Sequence, residues 1–160
     1  MNIVIREMTK NDTERVKQIA TITWKDAFSH IMPIEVQEKT LREAYDEQTM
    51  EKRFTSSSLF VAEEKGEIVG YAFFSQKNKE RKVLLESIYI HPDHQQKGIG
   101  TKLIHTGIET LQPKRLCLNV LEGNKKAIAY YKAQGFQEEG VFHHHFAHHP
   151  LIFMKMFKEL

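Results

Sequence analysis

Residues 95 to 102 read Gln-Gln-Lys-Gly-Ile-Gly-Thr-Lys, at the point where an apolar, β-branched run gives way to an amphipathic pattern. Two glycines and a lysine at the start of a helix suit an anion. Several backbone N–H groups there lack an intrahelical partner, and the helix dipole is positive. Glycine lets a phosphate approach those groups with no Cβ in the way. The competing reading is packing. Gly100 and Gly107 fall on the same helix side as Leu103, Ile104, Ile108 and Leu111, so small residues would let the helix lie close to a sheet. That leaves Gly98 and the polar residues ahead of it unexplained. A Walker loop needs Gly-Lys-Ser/Thr where this chain has Gly100-Thr101-Lys102, and a dinucleotide fingerprint needs a third glycine where it has Leu103.

Other side chains with chemical potential lie nearby in sequence. Glu86 is on an apolar run ending at Ile90, and Tyr130 and Tyr131 are adjacent in a helical pattern. Tyr130 lies about 100° around that helix from Tyr131 and should face elsewhere. Asn124 is a good N-cap for the helix beginning Lys125-Lys126. Two lysines at a helix start oppose the dipole, which an anionic partner would relieve and solvent would screen. Cys117, the single cysteine, lies mid-strand and reads as structural. His143, His144, His145, His148 and His149 would pair at metal-ligand spacing on a helix. Gly140, Pro150 and flanking β patterns favour a hairpin instead, and no metal is expected.

The elements that must position these groups follow from periodicity. Residues 3 to 6 form a first strand, and Thr9 or Asp12 caps a helix with Val16, Ile19, Ala20, Thr23, Trp24 and Ala27 on one stripe. Pro33 opens a second helical region carrying Ile34, Val36, Leu41 and Tyr45, and residues 46 to 58 are a broken helix or loop. Strands over "SLFVAEE", "EIVGYAFFSQ" and "KVLLESIYI" are joined by hairpin-like turns. The glycine turn, a helix to about Leu111, the strand "RLCLNV", a helix ending at Gly135 and two last strands complete the chain. The order β-α-α-β-β-β-α-β-α-β-β makes an α/β (α+β) domain over residues 1–160. It is a mixed, mostly antiparallel twisted sheet of about seven strands with about four helices on its faces.

Residues 88 to 104, "IYIHPDHQQKGIGTKLI", resemble motif A of the GCN5-related N-acetyltransferase (GNAT) family. That motif is Arg/Gln-x-x-Gly-x-Gly/Ala after a strand ending in V-x-P. Gln95 to Gly100 fills every position, and Pro92 sits where expected. "NVLEGNKKAIAYYKAQGF" is similar to the family's motif B, and the element order covers nearly the whole chain.

The resemblance implies acetyl-coenzyme A as co-substrate and an amine as acceptor. The pyrophosphate would rest on N–H groups of residues 96 to 101, that is Gln96, Lys97, Gly98, Ile99, Gly100 and Thr101, with Gln95 opening the motif. The pantetheine arm would pair with backbone around Ile88, Tyr89 and Ile90, beside a bulge and a parting of the fourth and fifth strands. An N–H near Ile90 would polarise the thioester carbonyl. Asn124 and Lys126 would border the cofactor. Tyr131 falls on the family's general-acid position, where a phenol can protonate a departing thiolate; its alternative is an ordinary core aromatic. Glu86 is the candidate base, and a solvated strand carboxylate is its alternative. Uninterrupted alternation would put Glu86, Ile88 and Ile90 on one face, and a bulge would break it.

Hydrophobic residues make up 41% of the 160 and charged residues 28%, with a formal charge of +2. That balance fits one globular domain and argues against nucleic acid as a partner. No apolar run approaches the roughly 18 residues of a membrane span, and the N-terminus has no secretory pattern. A cytoplasmic monomer or homodimer is expected. The leading reading is direct acetyl transfer to a primary amine of a small molecule or to a peptide N-terminus. A polyamine is one such acceptor: Glu35, Glu38, Glu43, Asp46 and Glu47 could attract a polycation, and a solvated helix face is their alternative. The alternative is a non-catalytic acyl-coenzyme A sensor or protein-interaction module on the same fold.

Overall fold

The computed structural model describes residues 2–160. β1 (Ile3–Glu7) leads through a short 3-10 turn into α1 (Thr13–Phe28), which buries Val16, Ile19, Ala20, Thr23, Trp24 and Phe28 at helical steps. α2 (Ile34–Ala44) begins directly after Pro33. The next stretch, read from sequence as a broken helix or loop, is a helix, α3 (Glu47–Ser56). Asp46 caps it by accepting the Thr49 N–H at 2.7 Å. The described residues therefore hold five α-helices where about four were expected.

Three antiparallel strands follow: β2 (Ser57–Glu64), β3 (Glu67–Ser75) and β4 (Lys82–Ile90). Lys65 and Gly66, both at positive φ, make the tight turn between β2 and β3. α4 (Ile99–Leu111), β5 (Arg115–Leu121) and α5 (Lys125–Ala133) come next, then the hairpin of β6 (Gln137–Phe146) and β7 (His149–Glu159). The sheet order is β1-β2-β3-β4-β5-β7-β6, and the single parallel pairing joins β4 to β5. The histidines lie mostly within β6, and the hairpin turns on Ala147 and His148, both at positive φ.

Alternation along the strands fills two layers. On one face Tyr71, Phe73 and Leu59 pack under α1, α2 and α3 with Trp24, Leu41 and Met50. On the other, Phe74, Leu85 and Leu118 pack under α4 and α5 with Leu103, Ile104 and Ile128. Gly107 is where α4 meets the sheet closely, since a Cβ there would lie 2.3 Å from the Phe74 ring. The packing account of Gly100 does not hold. A Cβ at Gly100 would make only ordinary contacts, at 3.6 Å from the Tyr130 hydroxyl and 3.9 Å from Ile88. No helix among the described residues is long and apolar enough to cross a membrane.

Asp12 fastens α1 to β1. Its carboxylate accepts from two Arg6 guanidinium nitrogens at 2.8 and 3.0 Å and from the Thr9 N–H at 2.8 Å. The Arg6 bonds hold its pKa down from 3.8 to about 2. A depressed folded pKa contributes stability that is present above the unfolded value and lost as pH falls through the folded one. Arg6 is one-third exposed, so solvent screens part of the pair's attraction. Asp12→Asn should then cost about 1–2 kcal/mol at neutral pH, and the gap to wild type should narrow as pH falls from about 4 towards 2. Denaturant melts across that range check it; an unchanging gap would contradict the pairing.

Candidate active site

The parallel pairing of β4 with β5 runs from Lys82↔Arg115 to Leu85↔Leu118 and then stops. Beyond it the strands part, and a cleft of about 1060 Å³ opens between them. Two helices start at this opening, α4 after β4 and α5 after β5.

The α4 start is built from backbone. Gln96 (φ 63°) and Gly98 (φ 79°) are both left-handed and curl the chain ahead of the helix. The bond from Lys102 N–H to the Gly98 carbonyl, 3.1 Å, is the first of the helical ladder. The N–H groups of Ile99, Gly100 and Thr101 therefore have no intrahelical acceptor, and no side chain caps them. A Cβ at Gly98 would meet no atom within 4 Å, so the space before these N–H groups is open. Gln95, Gln96, Gly98, Ile99, Gly100 and Thr101 all line the cleft. Lys97 does not; its ammonium lies 3.7 Å from Glu64, which also holds His94 at 3.2 Å. The cations that do line the cleft near a helix start are Lys125 and Lys126. Asn124 lines it too while accepting the Ala127 N–H at 3.3 Å, so it is both a cap and a wall.

The edge of β4 facing the gap is unpaired. The His91 N–H bonds back to Val69 on β3 at 2.9 Å, so alternation turns the peptide groups of Ile90 and Ile88 towards the opening. The Gln95 amide donates to the Ile90 carbonyl at 3.0 Å and ties the turn to the strand end. The Ile90 and Ile88 N–H groups remain for a ligand.

The bulge falls on Glu86, where the register slips from Phe74↔Leu85 to Phe73↔Ser87. It reverses the facing: Leu85, Ile88 and Ile90 share the α4 and α5 layer, whereas Tyr89 packs on the other. The single face that uninterrupted alternation would give Glu86, Ile88 and Ile90 is therefore absent. Glu86 is exposed at the cleft wall, with one carboxylate oxygen held by the Ser57 hydroxyl at 3.0 Å.

Tyr131 is buried, edge-on to Phe136 at 5.6 Å, and reaches the cleft. Burial pushes its pKa above the ordinary tyrosine value, so the phenol stays protonated. Tyr130 also lines the cleft, contrary to the facing expected of it. Its hydroxyl lies 2.8 Å from the Thr101 hydroxyl and ties the body of α5 to the start of α4. No sequence signal marked that contact, because it joins residues 29 apart.

The far end of the cleft is walled by α1, α2, α3 and the β6–β7 hairpin. Trp24 stacks on Phe146 at 6.1 Å and meets Tyr89 edge-on at 6.4 Å. Of the β6 histidines only His144 lines the cleft, against Phe146 and Phe153; strand alternation turns His143 and His145 away. No group of three or more His, Cys, Asp or Glu side chains among the described residues is placed to hold a metal ion. Cys117 is outside the cleft lining, and burial raises its thiol pKa. Thr40 and Arg53 are cleft residues that the sequence did not single out, and Trp24, read only as part of the apolar helix stripe, lines the cleft as well.

Residues 16–136 match the model of the acetyltransferase (GNAT) family. The chain belongs to the GNAT family. Among curated GNAT relatives, it is 40% identical over 77 residues to the thialysine N-ε-acetyltransferase of Bos taurus, covering 44% of this chain and 45% of that protein. It is 33% identical over 85 residues to the spermine/spermidine N(1)-acetyltransferase of Bacillus subtilis, covering 47% and 56%. The chain thus spans about half the length of these curated relatives. The fold matches the PaiA N-acetyltransferase of Thermoplasma acidophilum, solved in complex with coenzyme A, at TM-score 0.86 and 21% identity over all of both chains.

In this GNAT domain four of the five tyrosines are held neutral by burial: Tyr45, Tyr71, Tyr89 and Tyr131. A group whose folded pKa is raised stabilises the fold below its unfolded pKa and loses that contribution as pH climbs through the folded value. Stability should therefore fall as pH rises past about 10. Phenolate absorbance in the folded protein at pH 10 should not exceed that of one tyrosine; a signal from several, with the fold intact, would place these hydroxyls in solvent.

Proposed function

We propose that this protein is an acetyl-coenzyme A-dependent N-acetyltransferase that moves an acetyl group directly onto a primary amine of a small molecule or a peptide N-terminus. The observation that carries the reading is the uncapped α4 N-terminus opening onto the gap between β4 and β5, with Tyr131 and Glu86 on the walls of the same cleft. The residues fit the donor. The open space at Gly98 and three free N–H groups suit a pyrophosphate, and the unpaired β4 edge suits an amide-bearing arm. The names of the relatives support an amine acceptor, and they divide between an amino acid and polyamines.

Bound acetyl-coenzyme A supplies a thioester carbonyl for the amine to attack. The N–H groups of Ile99, Gly100 and Thr101 hold the pyrophosphate, and Lys125 and Lys126 add positive charge at the second helix start. The Ile90 N–H stabilises charge developing on the carbonyl oxygen. Tyr131, kept protonated by burial, donates its proton to the departing sulfur as the carbon–sulfur bond breaks. Glu86, exposed and steadied by Ser57, accepts the proton that the amine loses on forming the amide. Cys117 is away from the cleft, so the residues present favour direct transfer.

Thiol release from acetyl-coenzyme A with a panel of amines tests the reading. Tyr131→Phe keeps the ring and should lower kcat by roughly 10- to 1000-fold with little change in the donor KM. Glu86→Gln should lower kcat/KM most at low pH, where the acceptor is mostly ammonium, and recover towards high pH. A uniform loss would make Glu86 a positioning group. Coenzyme A binding with no turnover on any amine would favour the non-catalytic sensor.

A further inference from the structure

Among the described residues, four buried polar side-chain atoms have no hydrogen-bond partner: Trp24 Nε1, Gln37 Oε1, Thr40 Oγ1 and Arg53 Nε. Three of these, all able to donate, belong to residues that line the acceptor end of the cleft, on α1, α2 and α3 respectively. Buried donors are rarely left unmatched; a water, an ion or a ligand normally supplies the acceptor, and three converging on one end of a cleft suit a shared ligand. The Trp24 N–H is the least free, because it lies close enough to the Tyr89 hydroxyl to oppose, in part, the rise that burial imposes there.

Arg53 is the decisive group. Its guanidinium lies over the Phe73 ring at 5.2 Å and makes no ion pair with any carboxylate of the described chain. Its charge opposes part of the rise that burial imposes on the hydroxyls of Tyr45, which lines the cleft, and Tyr71, which lies outside the lining. Arg53 is also tied to Glu86 through one residue: its carbonyl accepts the Ser57 N–H, and the Ser57 hydroxyl holds Glu86. A carboxylate that takes up a proton and an unsatisfied cation thus flank one wall without neutralising each other. On α2, Thr40 and Ala44 are one turn apart and both face this corner.

We propose that the acceptor is an amine that also carries a carboxylate, of the amino-acid class, with the carboxylate held by Arg53 and Thr40 while the amine faces Glu86. This rests on the N-acetyltransferase reading and narrows its acceptor. A guanidinium offers fixed donors that match a carboxylate, and its fixed charge repels a second ammonium. The acids expected to attract a polyamine do not contribute: Glu35, Glu38, Glu43, Asp46 and Glu47 are all exposed, and none lines the cleft. Asp26 and Glu86 are the carboxylates that do.

The test is thiol release with matched acceptors: amino acids, the same molecules lacking the carboxylate, and spermidine. Carboxylated acceptors should exceed their descarboxy partners in kcat/KM by roughly 10- to 100-fold. Arg53→Leu should erase most of that ratio through KM, Thr40→Val should reduce it, and Arg53→Lys should retain part of it. Coenzyme A affinity serves as the folding control for each variant. Equal use of matched partners, a preference for spermidine, or a ratio unmoved by Arg53→Leu in a folded variant would overturn the carboxylate subsite and leave the transferase reading standing. No turnover with any amine would overturn the transferase reading and this proposal with it.

Discussion

β4 and β5 are hydrogen-bonded only as far as Leu85 and Leu118, and every feature of the cleft depends on that limit. Backbone polar groups inside a protein are nearly always paired. Here the chain stops pairing two adjacent parallel strands midway and leaves the Ile88 and Ile90 peptide groups facing a gap. The Glu86 bulge marks the change, since it re-aims the strand at the last paired residue. The same parting sets the starts of α4 and α5 beside the opening, because each helix follows one of the two strands. A fully zipped sheet would leave neither a cleft nor a reason for the uncapped turn at Gly98.

The site is divided by kind of interaction. The end of the cleft proposed for the donor offers backbone: three N–H groups at α4, a left-handed glycine and the β4 edge. Such groups are fixed by the fold and need no reorganisation to meet charge. The end proposed for the acceptor offers side chains from the first three helices and the late hairpin. Between them, Tyr131 is kept protonated by the apolar layer around it, whereas Glu86 stays at an exposed wall.

The glycine turn was legible in the sequence because left-handed backbone at a helix start has a strong preference for Gly98. The order of strands and helices along the chain and the last hairpin were legible because alternation and turn residues agree with the fold at each level, whereas the order of strands across the sheet was not. α3 was not, since its polar composition gives little amphipathic signal; the Asp46 cap was the clue. The facing of Tyr130 misled because geometry within one helix says nothing of a neighbour that comes to meet it, in this case Thr101. Lys97 looked like a phosphate ligand by position, yet Glu64, 33 residues earlier, takes its charge away from the cleft. Arg53 carried no local signal at all, because its isolation from any carboxylate exists only in three dimensions.

The α4 turn and the open β4 edge are the proposed seat of coenzyme A. Titrating coenzyme A into the isotopically labelled protein and following backbone amide resonances tests that placement. The largest shifts are expected at Gly98, Ile99, Gly100 and Thr101, with a second group at Ile88 and Ile90. Both groups should vanish in a folded Gly98→Val variant, whose side chain would fill the space at the helix start and whose φ would be strained. Silent amides at the turn, with shifts clustered elsewhere on the chain, would contradict it.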